Sequence, residues 1–457
     1  MNTNNHNNNN NLQNKYKYYI ETYGCQMNIY DSELVAGLLE KCGYSETKKI
    51  NNADAVFLNT CAIREKAEDT VHNRLNHLQY LKKKKPGMIL GILGCMAQNL
   101  KNELLESKPY VDIILGPDSY RRIPDIIRQR QNQNGHQVDT RLSKFEVYDD
   151  LFPSRHEGIN AWISISRGCD KFCTFCIVPF TRGRERSRTM ASIKREVENA
   201  VAKGYVEITL LGQNVNSYQT EDGQFPNLLE SIASVPGVKR IRYTSPHPQD
   251  MNDKLLEVMR DNRNICNYIH LPLQAGSDRI LQRMNRTYNQ KEYLELVDKI
   301  RQYLPGCSIS TDIIVGFPGE TEAEFQETLH VINSAGFSSA FMFKYSSRPG
   351  TKAAEYSGQI DESTKQIRLE KVIALQKVLT LKANQQYIGK VIKVLIEKES
   401  KKSFNQWAGR SDGNTWVIFD KINENIKDMV DVYIQDAKGV TLLGNRVLDK
   451  EQAHEVN

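Results

Sequence analysis

The sequence predicts an α/β protein in three parts: an N-terminal doubly wound α/β domain, a partial (β/α)6 barrel and a small C-terminal all-β barrel. Three observations predict it. Short apolar runs alternate with amphipathic stretches from Lys15 onward, the alternation resumes at longer spacing after an irregular stretch, and the last part of the chain holds β-type runs split by Gly and Asn. At 457 residues, with roughly 150 per domain, three domains are expected. The boundaries read as a tail over 1–14, an N-terminal domain over 15–145, a barrel over 146–384 and a β domain over 385–449.

Eight asparagines fill the first eleven residues around His6, too polar a stretch to bury, so the tail is expected to be disordered. Tyr18–Ile20 leads into a helical pattern near Asn28–Cys42, and Ala55–Leu58 into another over Ile63 to about Leu81, which ends in the run Lys82–Lys85 before Pro86-Gly87. Met88–Leu93 and Asp112–Leu115 each precede a further helix. Residues 131–160 are polar and irregular and mark a boundary. Strands follow near Trp162–Ser166, Ile208–Leu211, Ile241–Thr244, Tyr268–Leu273, Ser308–Val315 and Ala340–Tyr345. Six such units fall short of the eight of a full barrel, so the barrel is open. Two intervening helices carry capping-box signals, Asn289 with Glu292 and Thr321 with Glu324, the second ending at Gly336. A long helix is expected over 363–386, and Lys390–Glu399, Trp416–Phe419 and Met429–Ile434 read as strands of the terminal domain.

Composition bounds the function classes. Lys and Arg total 61 against 55 Asp and Glu, a charge of +6 that permits a polyanionic partner without demanding one. Nine cysteines, an odd number in a long chain, argue against a disulfide-stapled secreted scaffold. No apolar run approaches the roughly 20 residues that cross a bilayer, so no membrane association and a cytoplasmic location are expected.

Six of the nine thiols fall in two patterns. Cys169-x3-Cys173-x2-Cys176 follows the first barrel strand, where a compact loop can turn three thiolates toward one site. Structural zinc takes four protein ligands, and no fourth Cys or His lies nearby in sequence. Three thiolates on a four-iron cubane would leave one iron open. The second pattern is spread out. Cys25, Cys61 and Cys95 each sit in a short loop between a strand and a helix: Tyr23-Gly24-Cys25, Asn59-Thr60-Cys61 and Leu93-Gly94-Cys95. In a parallel sheet all strand C-termini share one edge, where doubly wound folds bind ligands, so these three should converge. Helix N-termini favour thiolate. The bland alternative is three buried cysteines at strand ends. Cys42, Cys266 and Cys307 fit neither pattern and read as buried or free thiols.

The Cys169–Cys176 spacing, with Phe175 before the last cysteine, resembles the radical S-adenosylmethionine superfamily. Across nearly the whole chain the motifs resemble the methylthiotransferase family: Tyr23–Asn28, Asn59–Lys66, Gly94–Ala97, Ser166–Cys169, Ile177–Glu185, Ser245–Pro248, Leu271–Gln274 and Asp312–Glu320. The terminal domain is similar to that family's RNA-binding TRAM module, most clearly at Gly409-Arg410-Ser411. Tyr23–Asn28 and Ile63–Lys66 look most like the branch that thiomethylates isopentenyladenosine beside the tRNA anticodon. The resemblance implies two 4Fe–4S clusters, one on Cys169, Cys173 and Cys176 that cleaves S-adenosylmethionine to a 5′-deoxyadenosyl radical, and an auxiliary one on Cys25, Cys61 and Cys95 whose sulfur is methylated. It also implies a tRNA anticodon stem-loop as partner, an external one-electron reductant and a sulfur donor.

Candidate S-adenosylmethionine contacts lie at barrel strand ends: Gln213, Asn214, Ser245, His247, Gln274 and Asp312. Gly212-Gln213-Asn214 stands where the superfamily often has Gly-Gly-Glu. For His247 a turn residue packed between two prolines is as good a reading. The arginines at 182, 184, 186 and 188 read as a basic stripe, with Arg155, Arg167 and Lys171 extending it, and Arg182 and Arg184 are the expected RNA contacts there. In the terminal domain, with ten Lys and Arg against nine Asp and Glu, RNA contact would rest on Lys401, Lys402, Phe404 and Arg410, while Trp407 and Trp416 read as core. The rival substrates are threonylcarbamoyl-adenosine in tRNA and a ribosomal-protein aspartate; the rival class is a two-cluster electron carrier, which has no use for an open barrel.

Overall fold

A computed structural model describes residues 16–61, 65–132 and 135–447. The Asn-rich tail therefore lies outside the described residues. The chain divides into two units, the first running to His156 and including Val178–Arg186, the second made of Glu157–Ile177 and everything from Ser187 onward.

In the first unit, strands β1 (Tyr16–Thr22), β2 (Tyr44–Glu46), β3 (Ala55–Thr60), β4 (Ile89–Gly94), β5 (Ile113–Leu115) and β6 (Gln137–Asp139) form one sheet in the order β2-β1-β3-β4-β5-β6. Every pairing is parallel. Helices cover both faces, because β3 and β4 are apolar on both sides. Tyr18, Phe57, Leu93 and Ile113 pack against Leu34, Val35 and Leu38 of helix α1 (Gln26–Lys41). Val56, Leu58, Leu90 and Ile92 pack against Val71, Leu75 and Leu78 of α2 (Glu65–Lys84). The strand order reverses between β1 and β3, and the crevice beyond the strand ends at such a reversal is where open α/β sheets bind ligands. Cys25 follows β1 and Cys61 follows β3.

Helix α2 ends inside the lysine run, at Lys84, as expected. Lysines suit a helix C-terminus, and Lys82 pairs with Asp112 at 2.6 Å. One detail departs from expectation: the stretch read as an irregular boundary contains β6, which adds to β5 through three residue pairs.

In the second unit, six parallel strands follow chain order. Asn160–Ser164, Glu207–Leu211 and Arg240–Tyr243 form one set, Tyr268–His270, Ser308–Val315 and Ser339–Lys344 the other. A bridge between Ile241 of the third strand and Ile265, in the segment leading to the fourth, links the two sets. Both expected capping boxes are present, Asn289 with Glu292 and Thr321 with Glu324, and Gly336 closes its helix in the left-handed conformation. The long helix spans Glu362–Gln385. The terminal domain is a closed barrel of Val391–Glu399, Gln406–Ser411, Trp416–Asp420, Thr441–Arg446 and Met429–Lys438. Arg242, on the third barrel strand, donates to the carbonyl oxygens of Ser411 and Asp412 at 2.9 and 3.1 Å, fixing the terminal domain to that strand.

Candidate metal centre

The strand ends β1, β3 and β4 are neighbours, so the loops that follow them put Cys25, Cys61 and Cys95 together. Cys25 caps α1, and Cys95 is the first residue of helix α3 (Cys95–Ser107). The approach is close: a Cβ on Gly24 would lie 2.6 Å from the Cys61 Cβ, and one on Gly94 would lie 2.5 Å from Asn59 Oδ1. Both glycines have positive φ, so both the space and the backbone demand glycine. Under the thiols lies a buried amide layer. Asn59 Nδ2 donates to the Asn28 carbonyl at 2.8 Å and to Ser32 Oγ at 2.9 Å, and the Cys25 thiol lies 3.4 Å from Asn28 Oδ1. A hydrogen bond from Cys61, helped by the Arg182 charge, pulls the Cys25 thiol down, while burial pushes Cys95 up.

Arg182 completes this site. It ends the short helix Val178–Arg182 and is only 3 % exposed. Its Nε donates to Cys95 Sγ at 3.2 Å, and its Nη2 donates to Asp31 Oδ2 at 2.9 Å and Asn28 Oδ1 at 3.5 Å. Nη1 is buried and has no partner. This corrects the expected RNA role of Arg182: a guanidinium held among buried groups cannot meet a phosphate. The stripe as a whole dissolves. Arg186 pairs with Asp118 and Arg188 with Glu196, both inside the protein, Arg155 pairs with Glu33, Lys171 pairs with Asp250, and Arg167 is buried. Of the four alternating arginines, Arg184 is the exposed one.

The loop carrying Cys169, Cys173 and Cys176 is held by the segment after the helix Asp278–Arg283. Thr174 N donates to the Met284 carbonyl, Thr174 Oγ1 to the Arg283 carbonyl, and Asn285 Nδ2 to the carbonyls of Lys171 and Phe172. Phe172 takes a φ of 48°, the tight left-handed turn that folds the loop back. Arg286 Nη1 donates to Cys173 Sγ at 3.4 Å, and its Nε donates to Tyr288 Oη at 2.9 Å. In each cysteine set an arginine thus donates to a sulfur. Among the described residues no three His, Cys, Asp or Glu side chains are arranged around a single metal ion.

Three family profiles match the chain: the Radical SAM superfamily over residues 163–332, Uncharacterized protein family UPF0004 over 17–116, and the TRAM domain over 385–447. The tRNA-2-methylthio-N(6)-dimethylallyladenosine synthase of Christiangramia forsetii is 45% identical over 95% of both chains. That of Bacteroides thetaiotaomicron is 47% identical over 94% of this chain and 96% of its own. The chain belongs to this family. It is a radical S-adenosylmethionine methylthiotransferase. Among solved structures, the radical S-adenosylmethionine methyltransferase TsrM of Kitasatospora setae shares the fold at a TM-score of 0.56 and 12% identity, covering 74% of this chain and 76% of its own.

Family membership brings S-adenosylmethionine and 4Fe–4S chemistry, and the residues present fit both. At the barrel strand ends, Gln213 Oε1 and Asn214 Oδ1 are buried carbonyl oxygens without donors. Asn214 Nδ2 donates to Asp250 Oδ2 at 2.7 Å, which turns its oxygen away from Asp250 to accept from an ammonium. Ser245 and Gln274 hold φ values of 58° and 71°, strained for these residues and common at ligand sites. The Gln274 backbone bonds to Asp312 and Ile314, and Asp312 Oδ2 stands 3.3 Å from His270 Nε2. His247 is a turn residue: its Nδ1 accepts from Gln249 N at 3.3 Å, and its ring rests 5.9 Å from that of Tyr288. Burial, with Arg286 and Lys171 nearby, pushes its imidazole down to about 2, so it stays neutral.

In the terminal barrel Lys401, Lys402 and Phe404 are exposed, Phe404 at 84 %. Arg410 donates to Glu397 Oε1 at 2.6 Å and Asn414 Oδ1 at 3.0 Å, with its side chain 23 % exposed. Trp407 is buried as expected, while Trp416 is half-buried with Lys398 Nζ 4.3 Å above its ring. Asp31, Arg286, Asp250 and His270 carry no mark in the linear sequence. Only the fold brings them to the cysteines or the strand ends.

Proposed function

We propose that this chain inserts a methylthio group at carbon 2 of N6-isopentenyladenosine next to the anticodon of tRNA. The reading rests most on one observation: Cys25, Cys61 and Cys95 gather at a ligand-binding sheet edge in a chain that already carries the Cys169–Cys176 loop. A carrier of electrons would need neither the open barrel nor its unpartnered carbonyl oxygens.

The aromatic C–H at carbon 2 resists acid–base chemistry. The bound clusters and S-adenosylmethionine supply radical cleavage of that bond and a sulfur to replace it. The protein's own part is placement. Cys169, Cys173 and Cys176 would hold one cluster and leave an iron open, and Gln213 and Asn214 would accept from the methionine ammonium. Cys25, Cys61 and Cys95 would hold the other. Arg286 and Arg182 place positive charge against the two sulfur sets, where buried anions need it. The base must leave the anticodon stack to reach such a site, and Phe404 with Lys401 and Lys402 suits contact with unpaired nucleotides. An external one-electron reductant, a sulfur donor and a cytoplasmic setting complete the reading. No helix among the described residues is long and apolar enough to cross a membrane.

Mass spectrometry of tRNA nucleosides from a strain lacking the gene tests it. The methylthio form of isopentenyladenosine should disappear and the unthiolated form accumulate. Loss of methylthio-threonylcarbamoyl-adenosine instead would move the enzyme to the other branch.

A further inference from the structure

We propose that Arg182 and Asp31 set the charge balance of the auxiliary cluster, Arg182 as a positioning residue that donates to the Cys95 sulfur and Asp31 as the carboxylate that aims it. The inference rests on the reading of Cys25, Cys61 and Cys95 as cluster ligands.

Arg182 is a cation taken out of water, and such a group is tolerated only when its charge and hydrogen bonds are used. Asp31, 0 % exposed, takes Nη2 and leaves Nε for Cys95 Sγ, with Nη1 still uncommitted. The donor to sulfur and the positive charge act in the same direction on an iron–sulfur cluster: both favour the more negative, reduced form. Asp31 acts oppositely. The two residues therefore make opposite predictions, which a purely structural role for the pair does not. Arg182 stands six residues after Cys176, so the segment leaving one cysteine set supplies the cation for the other.

The test uses the full chain carrying Cys169→Ala, Cys173→Ala and Cys176→Ala, reconstituted anaerobically so that only the auxiliary site loads. Iron content and the midpoint potential from an EPR-monitored redox titration are read for this parent and for added Arg182→Lys, Arg182→Gln and Asp31→Asn. The parent should bind about four irons. Arg182→Gln should shift the potential negative, Asp31→Asn should shift it positive, and Arg182→Lys should stay nearer the parent than Arg182→Gln. Unchanged potentials, or shifts of the same sign in Arg182→Gln and Asp31→Asn, would overturn the proposal. If Arg182→Gln loses its iron, the sign in Asp31→Asn decides. A parent that binds no iron removes the ligand reading and this inference with it.

Discussion

Arg182 Nη2 lies 2.9 Å from Asp31 Oδ2, and both side chains are shielded from water. Breaking such a buried pair from one side costs about 3–5 kcal/mol, because the remaining charge stays buried alone. Arg182→Met should therefore destabilise the first unit by that amount in iron-free protein, read as faster hydrogen exchange at β3 and β4 amides. Adding Asp31→Asn should recover part of the loss. A second loss of similar size would mean the two residues act independently.

The arginines around it divide by burial. Arg188 donates to Glu196 Oε2 at 2.6 Å, Ser192 Oγ at 2.7 Å and the Ser164 carbonyl at 2.9 Å, with none of its side chain exposed. Arg188→Met should cost about 3–5 kcal/mol in barrel stability. Arg184→Ala, at an exposed side chain, should cost no more than about 1 kcal/mol. The effect expected of an RNA contact is weaker stem-loop binding, with the salt dependence reduced by about one phosphate contact. An unchanged salt slope would take Arg184 off the RNA surface.

Helix starts in the barrel depend on single side chains. Asn289 Oδ1 accepts from Glu292 N at 2.9 Å, and Thr321 Oγ1 accepts from Glu324 N at 3.3 Å. Asn289→Ala and Thr321→Ala should each cost about 1 kcal/mol, and Asn289→Asp should cost less, by thermal unfolding.

Stability should depend on pH through His247. Its folded value, about 2, lies below the ordinary 6.5, so protons bind the unfolded chain first. The contribution is present above pH 6.5 and is lost as pH falls below it, at about 1.4 kcal/mol per pH unit. His247→Asn keeps an acceptor for the turn and should flatten that slope. An identical acid slope in both proteins would contradict a buried neutral imidazole.

Much of this was legible because periodicity and cap chemistry are local. The six barrel strands and both capping boxes follow from short windows of sequence, and the three spread cysteines from one shared position, strand end before helix. What escaped was non-local or disguised. The strands Gln406–Ser411 and Thr441–Arg446 contain Gly409 and Gly444, which read as turns. Those glycines sit in the barrel because a Cβ there would come within 2.2 and 2.3 Å of the Leu395 and Tyr433 carbonyl oxygens. The three-residue strands β2 and β6 are too short for a pattern. Arg182 misled most, since an arginine among arginines reads as surface charge, and Asp31 lies on a different element far back in the chain.

The central claim is that two separate cysteine sets each hold a four-iron cluster. Iron content after anaerobic reconstitution tests it directly. The wild-type chain should bind about eight irons, and about four should remain both in Cys25→Ala/Cys61→Ala/Cys95→Ala and in Cys169→Ala/Cys173→Ala/Cys176→Ala. A wild-type chain with about four irons, all lost with Cys169, Cys173 and Cys176, would contradict it.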